Sequence, residues 1–190
     1  MCGFLGLIEY KNYTDEILIN EANKLLKHRG PDDFGSYKKK IDNININLSH
    51  HRLSIIDLTR NGKQPFVSED GRYTLLFNGE IYNYLEIKEE LKKNSIEFRT
   101  NTDTEVLLKS WIYWGRECLK KFNGMFAFTL FDLKEMKIVL IKDIFGMKPL
   151  YYFLNENSFI FSSEIEPILL SFIVVPKLSA ESSITIKSFS

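Results

Sequence analysis

The chain has 190 residues, enough for one domain with a sizeable core. Its 25 basic and 25 acidic side chains cancel, so charge suggests neither a nucleic acid nor an anionic membrane as a partner. The apolar runs are shorter than a membrane span, and the start of the chain lacks the basic region of a secretory signal. Cys2 and Cys118 are the only cysteines, which favours a reducing, cytoplasmic location over a disulfide framework.

The first third of the chain predicts a strand, a helix and further strands. Residues 4–8 are apolar and short enough for a buried strand. Thr14 is a candidate N-cap for a helix of regularly spaced apolar residues, which ends where glycine and proline interrupt the motif at 28–32. The polar stretch 38–47 predicts a turn between short strands, and 48–58 predicts another strand.

The remaining elements follow from the same kinds of pattern. Residues 73–77 predict a strand that runs straight into Asn78. Two pairs of residues have the spacing of a capping box and each opens a predicted helix: Asn83 with Glu86, and Thr102 with Glu105. Four short strands are then predicted between turn residues, at 125–131, 137–141, 150–153 and 159–161. A last helix begins at Ser163 or Glu164 and continues to Leu170.

The order of these elements predicts the fold class. Strands come in runs and do not alternate strictly with helices, which favours α+β with antiparallel sheets over a doubly wound parallel sheet. The residues from Pro176 onwards are polar and serine-rich, so we expect them to be loose. We therefore predict one domain over 2–175 and a tail over 176–190.

Cys2 is the first candidate for chemistry. Its side chain is small, so an aminopeptidase is expected to remove Met1 and leave Cys2 at the N-terminus. One residue would then carry a thiol of pKa about 8.5 and an α-amine of pKa about 7.7–8.0. Such an amine can take the thiol proton directly or through a water, so no histidine is needed. A cysteine at position 2 also arises by chance, and the interpretation depends on the rest of the chain.

Asn78 and Gly79 stand at the end of a predicted strand and allow two interpretations. A side-chain amide beside an unhindered backbone N–H is what an oxyanion hole needs. Asn-Gly is also the commonest signal of a two-residue hairpin turn. A capped helix at Asn83, in place of a returning strand, argues against the hairpin.

Arg52 and Asp103 are each open to a functional and a structural interpretation. Arg52 lies inside an otherwise apolar strand, where its guanidinium either captures a ligand carboxylate or forms an internal salt bridge. Asp103 lies in a first helical turn, where it either complements the helix dipole or meets a ligand ammonium.

The remaining cysteine and two histidines give weaker signals. Cys118 lies in a helix-like stretch and is expected to pack as a small apolar residue. His50 and His51 are neighbours on a predicted strand, so their side chains should point to opposite faces of the sheet. Because no second group of ligands accompanies them, no metal site is expected.

A cysteine nucleophile, an oxyanion donor pair, an arginine for a carboxylate and two acids suit the side-chain amide of an amino acid. The chain resembles the glutaminase domain of the class II, N-terminal-cysteine glutamine amidotransferases, in the asparagine synthetase branch. The resemblance covers residues 1 to about 170. The matching motifs are, in order, Met-Cys-Gly at 1–3, His-Arg-Gly-Pro-Asp at 28–32, Arg-Leu-Ser-Ile-Ile-Asp at 52–57, Asn-Gly-Glu-Ile-Tyr-Asn at 78–83, Thr-Asp-Thr-Glu at 102–105, Gly-Met-Phe-Ala-Phe at 124–128, Asp-Ile-Phe-Gly-Met-Lys-Pro-Leu-Tyr-Tyr at 143–152 and Ser-Ser-Glu at 162–164.

This resemblance implies an αββα sandwich of the Ntn-hydrolase type, with two antiparallel sheets between helical layers. It also implies that Cys2 is the nucleophile and that Asn78 and Gly79 form the oxyanion hole. The residues it implies for binding glutamine are Arg52 for the carboxylate with the backbone of Leu53, Ser54, Ile55 and Ile56, and Glu80 and Asp103 for the ammonium. The implied reaction hydrolyses L-glutamine to glutamate and ammonia through a thioester, and supplies ammonia for asparagine synthesis from aspartate and ATP.

Two departures from the family pattern stand out. Lys142 replaces the usual arginine before Asp143, which keeps the charge but loses the fork geometry. The sequence also lacks the Ser-Gly-Gly-x-Asp-Ser pyrophosphate loop of the synthetase domain. We therefore expect a glutaminase half, with 176–190 as the remnant of a link to an absent synthetase domain. No cofactor is expected in this chain, and ATP and Mg²⁺ are expected only in that synthetase domain.

The expected partners are L-glutamine as substrate and an ATP-dependent synthetase domain or subunit that accepts ammonia; a homodimer is left open. One alternative function is the glutaminase domain of an amidotransferase with another acceptor, such as a sugar or a peptide acid. A second alternative is a non-catalytic module that senses glutamine. The joint presence of Cys2, Arg52, Asn78 and Asp103 argues against this second alternative.

Overall fold

The computed structural model of the protein describes residues 1–10, 16–174 and 186–189. The strands in these ranges are, in chain order, β1 (Gly3–Tyr10), β2 (Asp33–Ile41), β3 (Ile44–Arg52), β4 (Phe66–Val67), β5 (Tyr73–Ile81), β6 (Gly124–Asp132), β7 (Lys137–Lys142), β8 (Tyr151–Leu154), β9 (Ser158–Ser162) and β10 (Ile186–Phe189). The α-helices are α1 (Glu16–Lys24), α2 (Tyr84–Lys93), α3 (Asp103–Trp114) and α4 (Ile165–Val174). Short 3₁₀ helices occur at Lys27–Arg29, Arg60–Gly62 and Gly115–Lys121. No helix among the described residues has the length and apolar character needed to cross a membrane.

The strands form two sheets. The first has the order β2-β3-β1-β9-β8 and is antiparallel throughout. The second has the order β10-β7-β6-β5-β4 and is antiparallel except for β10, which runs parallel to β7. The tail at 176–190 was expected to be loose, but its residues 186–189 form strand β10. The other residues of this tail lie outside the described ranges.

Three apolar clusters show how the layers are stacked. The middle cluster takes side chains from both sheets, including Phe4, Leu48 and Leu76. A second cluster joins the β5–β6 sheet to α2 and α3, and a third joins the β1–β9 sheet to α1 and α4. Two sheets therefore lie face to face between two helical layers, and the predicted αββα sandwich is confirmed.

Several local predictions are wrong in their bounds. The polar stretch 38–47 is not a broad turn: β2 and β3 form a long hairpin around two residues, and the lysines of β2 lie on an edge strand. The strand predicted over 48–58 ends at Arg52. Asn83 does not cap α2 with its side chain, because its amide instead joins Lys121 and Asn123.

Other local predictions are confirmed. Thr102 caps α3, since its hydroxyl accepts from the Glu105 N–H at 3.2 Å. Cys118 is fully buried, and burial raises the pKa of its thiol to about 12. The predicted N-cap at Thr14 lies outside the described residues.

Candidate active site

The alternation of side chains along three strands brings the predicted residues to one end of the sandwich. In each of these strands, a residue of the middle apolar cluster fixes which side of the strand faces the other sheet: Phe4 in β1, Leu48 in β3 and Leu76 in β5. Residues an even number of positions away share that side: Cys2, Arg52 and Asn78. The pairing of Gly3 with His51 also places Cys2 beside Arg52.

A cavity of about 170 Å³ opens at this end of the sandwich. Its walls include nearly all the residues predicted for the site: Cys2, Arg52, Leu53, Ile55, Ile56, Asn78, Gly79, Glu80 and Asp103. Ser54 is the exception: it does not line the cavity, and its backbone N–H donates to the Asp32 carboxylate at 2.7 Å. The structure thus assembles residues that are up to 101 positions apart in sequence into one small site.

The Cys2 thiol lies against the start of the loop that follows β3. Its Sγ is 3.4 Å from the backbone N of Leu53, which donates to it, and 3.7 Å from the Leu53 carbonyl oxygen. Burial raises the pKa of this thiol, while the Leu53 N–H and the charge of Arg52 act in the opposite direction. With Met1 present, the nitrogen of Cys2 is a peptide nitrogen and carries no basic lone pair.

Arg29 fixes the backbone of Cys2 and was not predicted from the sequence. Its Nε donates to the Cys2 carbonyl at 2.9 Å, and its Nη1 donates to Glu164 at 2.9 Å. Glu164 also meets His28 at 3.0 Å. Arg29 belongs to the motif at 28–32 and Glu164 to the Ser-Ser-Glu motif, so the signal that could have identified them was motif membership in a chain with few arginines.

The open edge of β5 presents three backbone N–H groups in a row, at alternate residues. Phe77 N donates to Gln64 Oε1 at 2.7 Å, and Ile81 N donates to Asp103 Oδ2 at 3.2 Å. Gly79 lies between them in the same orientation, opposite Phe126, whose own N–H and carbonyl are both bonded to Asp143. The Gly79 N–H therefore points away from β6, and Gly79 lines the cavity.

Asn78 supplies a second donor at the same place. Its side chain is 1% exposed, and Nδ2 has no hydrogen-bond partner among the described residues. A buried amide donor without a partner costs free energy, so its presence in a cavity wall indicates a ligand acceptor. The hairpin interpretation of Asn-Gly is wrong, because β5 stays paired with β6 as far as Ile81. Gly79 is required here, since a Cβ would lie 2.4 Å from the Met125 carbonyl oxygen.

Arg52 is buried without a carboxylate partner among the described residues, so the internal salt bridge considered for it is wrong. Its guanidinium donates to three carbonyls of the following loop: Thr59 at 2.8 Å, Ile56 at 3.2 Å, and Asp57. Gly62 makes room for it, because a Cβ there would lie 2.3 Å from Nη2. Two of the five donors of this guanidinium remain for a ligand.

Asp103 opens α3 at the wall of the cavity. Its carboxylate accepts a hydrogen bond from the Ile81 N–H at 3.2 Å, and its side chain is buried. Burial raises the pKa of Asp103 to about 6, and the nearby Glu80 carboxylate adds to the rise. An acid that is costly to ionise and that faces a cavity next to a second acid is suited to receive a cationic group.

His50 connects the two sheets beside the site. Its Nε2 donates to the Phe77 carbonyl at 3.0 Å, which joins β3 to β5 one residue before Asn78. Burial lowers the pKa of His50 to about 4, so the ring is neutral at physiological pH. His51 points to the opposite face, where it contacts the ring of Phe34, as the alternation predicts. Within the described part of the chain, no cluster of three or more histidine, cysteine, aspartate or glutamate side chains could hold a metal ion.

Other cavity residues carried no signal that sequence reasoning used. Gln64 holds both backbone groups of Phe77, with Oε1 accepting at 2.7 Å and Nε2 donating at 3.2 Å. Lys148 is buried in the wall near Met1. Gln64 lies within the stretch 60–65, whose composition predicts a loop, and Lys148 lies within the motif at 143–152. Nothing in the sequence around either residue indicates that its side chain turns inward.

The fold recurs in solved structures. The structure of the glutamine phosphoribosylpyrophosphate amidotransferase from B. subtilis superimposes with a TM-score of 0.73 at 18% identity, over 90% of this chain and 44% of that chain. This chain therefore shares the fold of that amidotransferase, and Cys2 lies at one end of the two stacked sheets.

Sequence comparison identifies the family. The sequence model of the glutamine amidotransferase domain family matches residues 1–186, and the chain belongs to this family. It is 44% identical over 183 residues to a Methanocaldococcus jannaschii protein provisionally named asparagine synthetase [glutamine-hydrolyzing] 2, covering 89% of this chain and 35% of that protein. It is 38% identical over 175 residues to asparagine synthetase [glutamine-hydrolyzing] 1 of Bacillus subtilis, covering 90% and 27%. The chain thus spans about a third or less of the length of these relatives.

Proposed function

We propose that this chain hydrolyses L-glutamine to glutamate and ammonia, with the N-terminal Cys2 as nucleophile. The observation that carries the proposal is the meeting of the Cys2 thiol and the unpartnered Asn78 amide in one small cavity. A nucleophile and a free hydrogen-bond donor in the wall of one cavity are the two parts that acyl transfer needs.

Removal of Met1 starts the mechanism, because it converts the Cys2 peptide nitrogen into an amine. That amine takes the thiol proton, and the thiolate attacks the carbonyl carbon of the glutamine side-chain amide. Arg29 would hold the Cys2 carbonyl during this step, so that the thiol and the new amine keep their orientation.

The oxyanion formed by this attack would accept from Asn78 Nδ2 and the Gly79 N–H. The tetrahedral species then breaks its C–N bond, and the protonated amine of Cys2 returns a proton so that ammonia leaves. A water attacks the thioester that remains, and glutamate and the free thiol are released. No metal or cofactor takes part in these steps.

Recognition of glutamine would use the charged groups of the cavity. The α-carboxylate would meet the two remaining donors of Arg52 and the backbone of the loop at Leu53, Ile55 and Ile56. The α-ammonium would meet Glu80 and Asp103, whose ionisation it would favour. These contacts select free glutamine, because a peptide-bound glutamine lacks both end charges.

We further propose that the ammonia serves asparagine synthesis from aspartate and ATP. The support is the identity to glutamine-hydrolysing asparagine synthetases, whose additional length leaves room for a synthetase part. ATP and Mg²⁺ would bind that part, and a cytoplasmic location fits two free cysteines. An amidotransferase with another acceptor would use the same glutaminase chemistry, and a homodimer stays a prediction.

Intact mass and a glutaminase assay on the expressed chain test the first proposal together. The expected result is a mass without Met1 and release of glutamate from free glutamine. A chain that has lost Met1, is folded, and releases no glutamate would contradict the proposal and favour a sensing module. The acceptor is tested by adding the co-purified synthetase partner, [¹⁵N-amide]glutamine, ATP and aspartate; labelled asparagine is expected, and labelled ammonia alone would contradict the asparagine assignment.

A further inference from the structure

Lys148 is a buried cation in the cavity wall that the proposed mechanism does not use. Its side chain is 6% exposed, and no acidic side chain in the described residues pairs with its ammonium. The contact of Nζ is with Met1 Sδ at 3.1 Å, and a thioether sulfur is a weak acceptor. A buried ammonium without a charged partner costs free energy, so its presence here indicates a functional role.

The position of Lys148 is fixed by its neighbour Asp143. This carboxylate accepts from the backbone N–H groups of Phe126 at 3.0 Å, Phe145 at 3.0 Å, Met147 at 3.1 Å and Lys148 at 3.4 Å. The loop that carries Lys148 is therefore tied to β6, and Lys148 is held at the cavity by the backbone on its N-terminal side. Its side chain is buried, and its ammonium contacts Met1.

That place is next to the future catalytic amine. Five covalent bonds separate Met1 Sδ from the nitrogen of Cys2, so Lys148 Nζ lies within about 10 Å of that nitrogen. Removal of Met1 takes away the contact of Lys148 and creates the amine in the same cavity. A free α-amine of pKa about 7.7–8.0 is mostly protonated at pH 7 and then cannot accept the thiol proton.

We propose that the Lys148 ammonium keeps the α-amine of Cys2 in its unprotonated form, which makes Lys148 a supporting residue of the glutaminase site. The inference rests on the proposed role of that amine as base. Two like charges in one small cavity repel each other. The α-amine has a lower reference pKa than a lysine, so the amine is the group that loses its proton. At about 10 Å and an effective dielectric constant of about 20, this repulsion corresponds to roughly one pH unit.

The other charges around the amine are accounted for. Glu80 and Asp103 line the cavity and favour a protonated amine, whereas Arg52 opposes it. The Arg52 guanidinium is turned to the carbonyls of residues 56, 57 and 59, and Arg29 is bonded to the Cys2 carbonyl and paired with Glu164. Lys148 is the cation of this wall whose head group contacts Met1 itself.

The test reads the protonation of the amine directly. The protein has two cysteines, so ¹⁵N-cysteine labelling gives one signal for the Cys2 amine and one for buried Cys118 as an internal reference. In the wild type, the Cys2 nitrogen should titrate below the free-amine range, and in Lys148→Met its midpoint should rise by about one pH unit. The acid limb of kcat/KM should move up equally, which lowers activity about four-fold at pH 7 and hardly at pH 9.

Two further variants distinguish charge from structure. Lys148→Arg restores the charge and should restore the wild-type midpoint. Lys142→Met removes an exposed cation that borders the same loop near Gly146 and should leave the midpoint unchanged.

An unchanged midpoint in Lys148→Met would overturn the inference even if the enzyme remains active. A wild-type midpoint at or above the free-amine range would overturn it without any variant. An absence of glutamate release in the wild type would instead count against the proposed function, since the titration needs no turnover.

Discussion

The middle of the sandwich and its open end are built from the same strands but are held together differently. In the middle, β1, β3 and β5 contribute apolar side chains such as Phe4, Leu48 and Leu76, which fill the space between the sheets. At the end, the same faces carry a cysteine, an arginine and an asparagine. Strand alternation thus aims these polar groups at one point, and the apolar middle supplies the rigidity that keeps them there.

The difference is also visible in how the polar groups are satisfied. Glu105, 0% exposed, accepts hydrogen bonds from the backbone N–H groups of Arg99 and Thr100 and from the Thr100 hydroxyl. Asp103, two residues earlier, accepts from Ile81 and has its pKa raised by burial, and the Asn78 amide has no partner. Groups that stabilise the fold are saturated, whereas groups of the cavity keep capacity for a ligand.

Asn78→Ala should have a large effect on turnover and a small effect on folding. Loss of one oxyanion donor lowers kcat by about 10²–10³. Because Nδ2 has no partner in the folded chain, its removal leaves no other group unsatisfied, and the melting temperature should change little. Steady-state kinetics and thermal unfolding of the same preparation check this. An increase in KM with an unchanged kcat would identify Asn78 as a ground-state contact.

Arg52→Ala should weaken glutamine by about two orders of magnitude or more, because an unpaired ligand carboxylate in a buried site costs roughly 3–5 kcal/mol. The wild type should reject glutamine that is amidated at its α-carboxyl, whereas the variant should no longer distinguish the two ligands.

This second comparison is needed because Arg52 also holds the carbonyls of residues 56, 57 and 59, and a looser loop would weaken both ligands alike. The matched control is Arg52→Lys, which keeps the charge without the fork. Preserved discrimination in Arg52→Ala would contradict the assignment.

Asp103→Asn should raise KM for glutamine about tenfold or more, since a hydrogen bond to a charged group is lost. The wild-type KM should also rise as pH falls below about 6, where Asp103 becomes protonated, and the variant should lack this dependence.

Asp103→Asn should weaken glutamine binding but stabilise the fold at neutral pH. A folded-state pKa raised from 3.8 to about 6 means that the folded chain binds more protons than the unfolded chain between these values, so stability falls as pH rises through them. Above pH 6 the ionised carboxylate costs on the order of 3 kcal/mol, which Asp103→Asn should recover.

The control for this variant is Glu105→Gln, which should lower stability and leave KM unchanged, because Glu105 is part of the saturated interior. A lower melting temperature in Asp103→Asn at pH 7–8 would contradict the comparison between the two acids.

Much of the site could be predicted because its residues have unusual types for their positions. An arginine in an apolar strand and a cysteine behind a removable methionine are visible without a structure. The end of β3 at Arg52 was not visible, because the β-branched residues that follow match a strand pattern while they form the cavity loop.

The residues that were missed act through partners distant in sequence. Arg29 meets the Cys2 carbonyl 27 positions away and Glu164 135 positions away, so nothing local marks either contact. Gln64 is buried only because β5 passes beside it. The long polar hairpin of β2 and β3 was predicted as a turn because edge strands tolerate lysines that a sequence pattern assigns to loops.

The central claim is that removal of Met1 turns Cys2 into nucleophile and base at once. The most direct measurement is glutamate release by three preparations of known intact mass: the processed wild type, the processed Cys2→Ala variant, and a wild-type chain that retains Met1. Turnover is expected in the first preparation alone, with all three folded. Turnover by Cys2→Ala, or equal turnover by the chain that retains Met1, would contradict it.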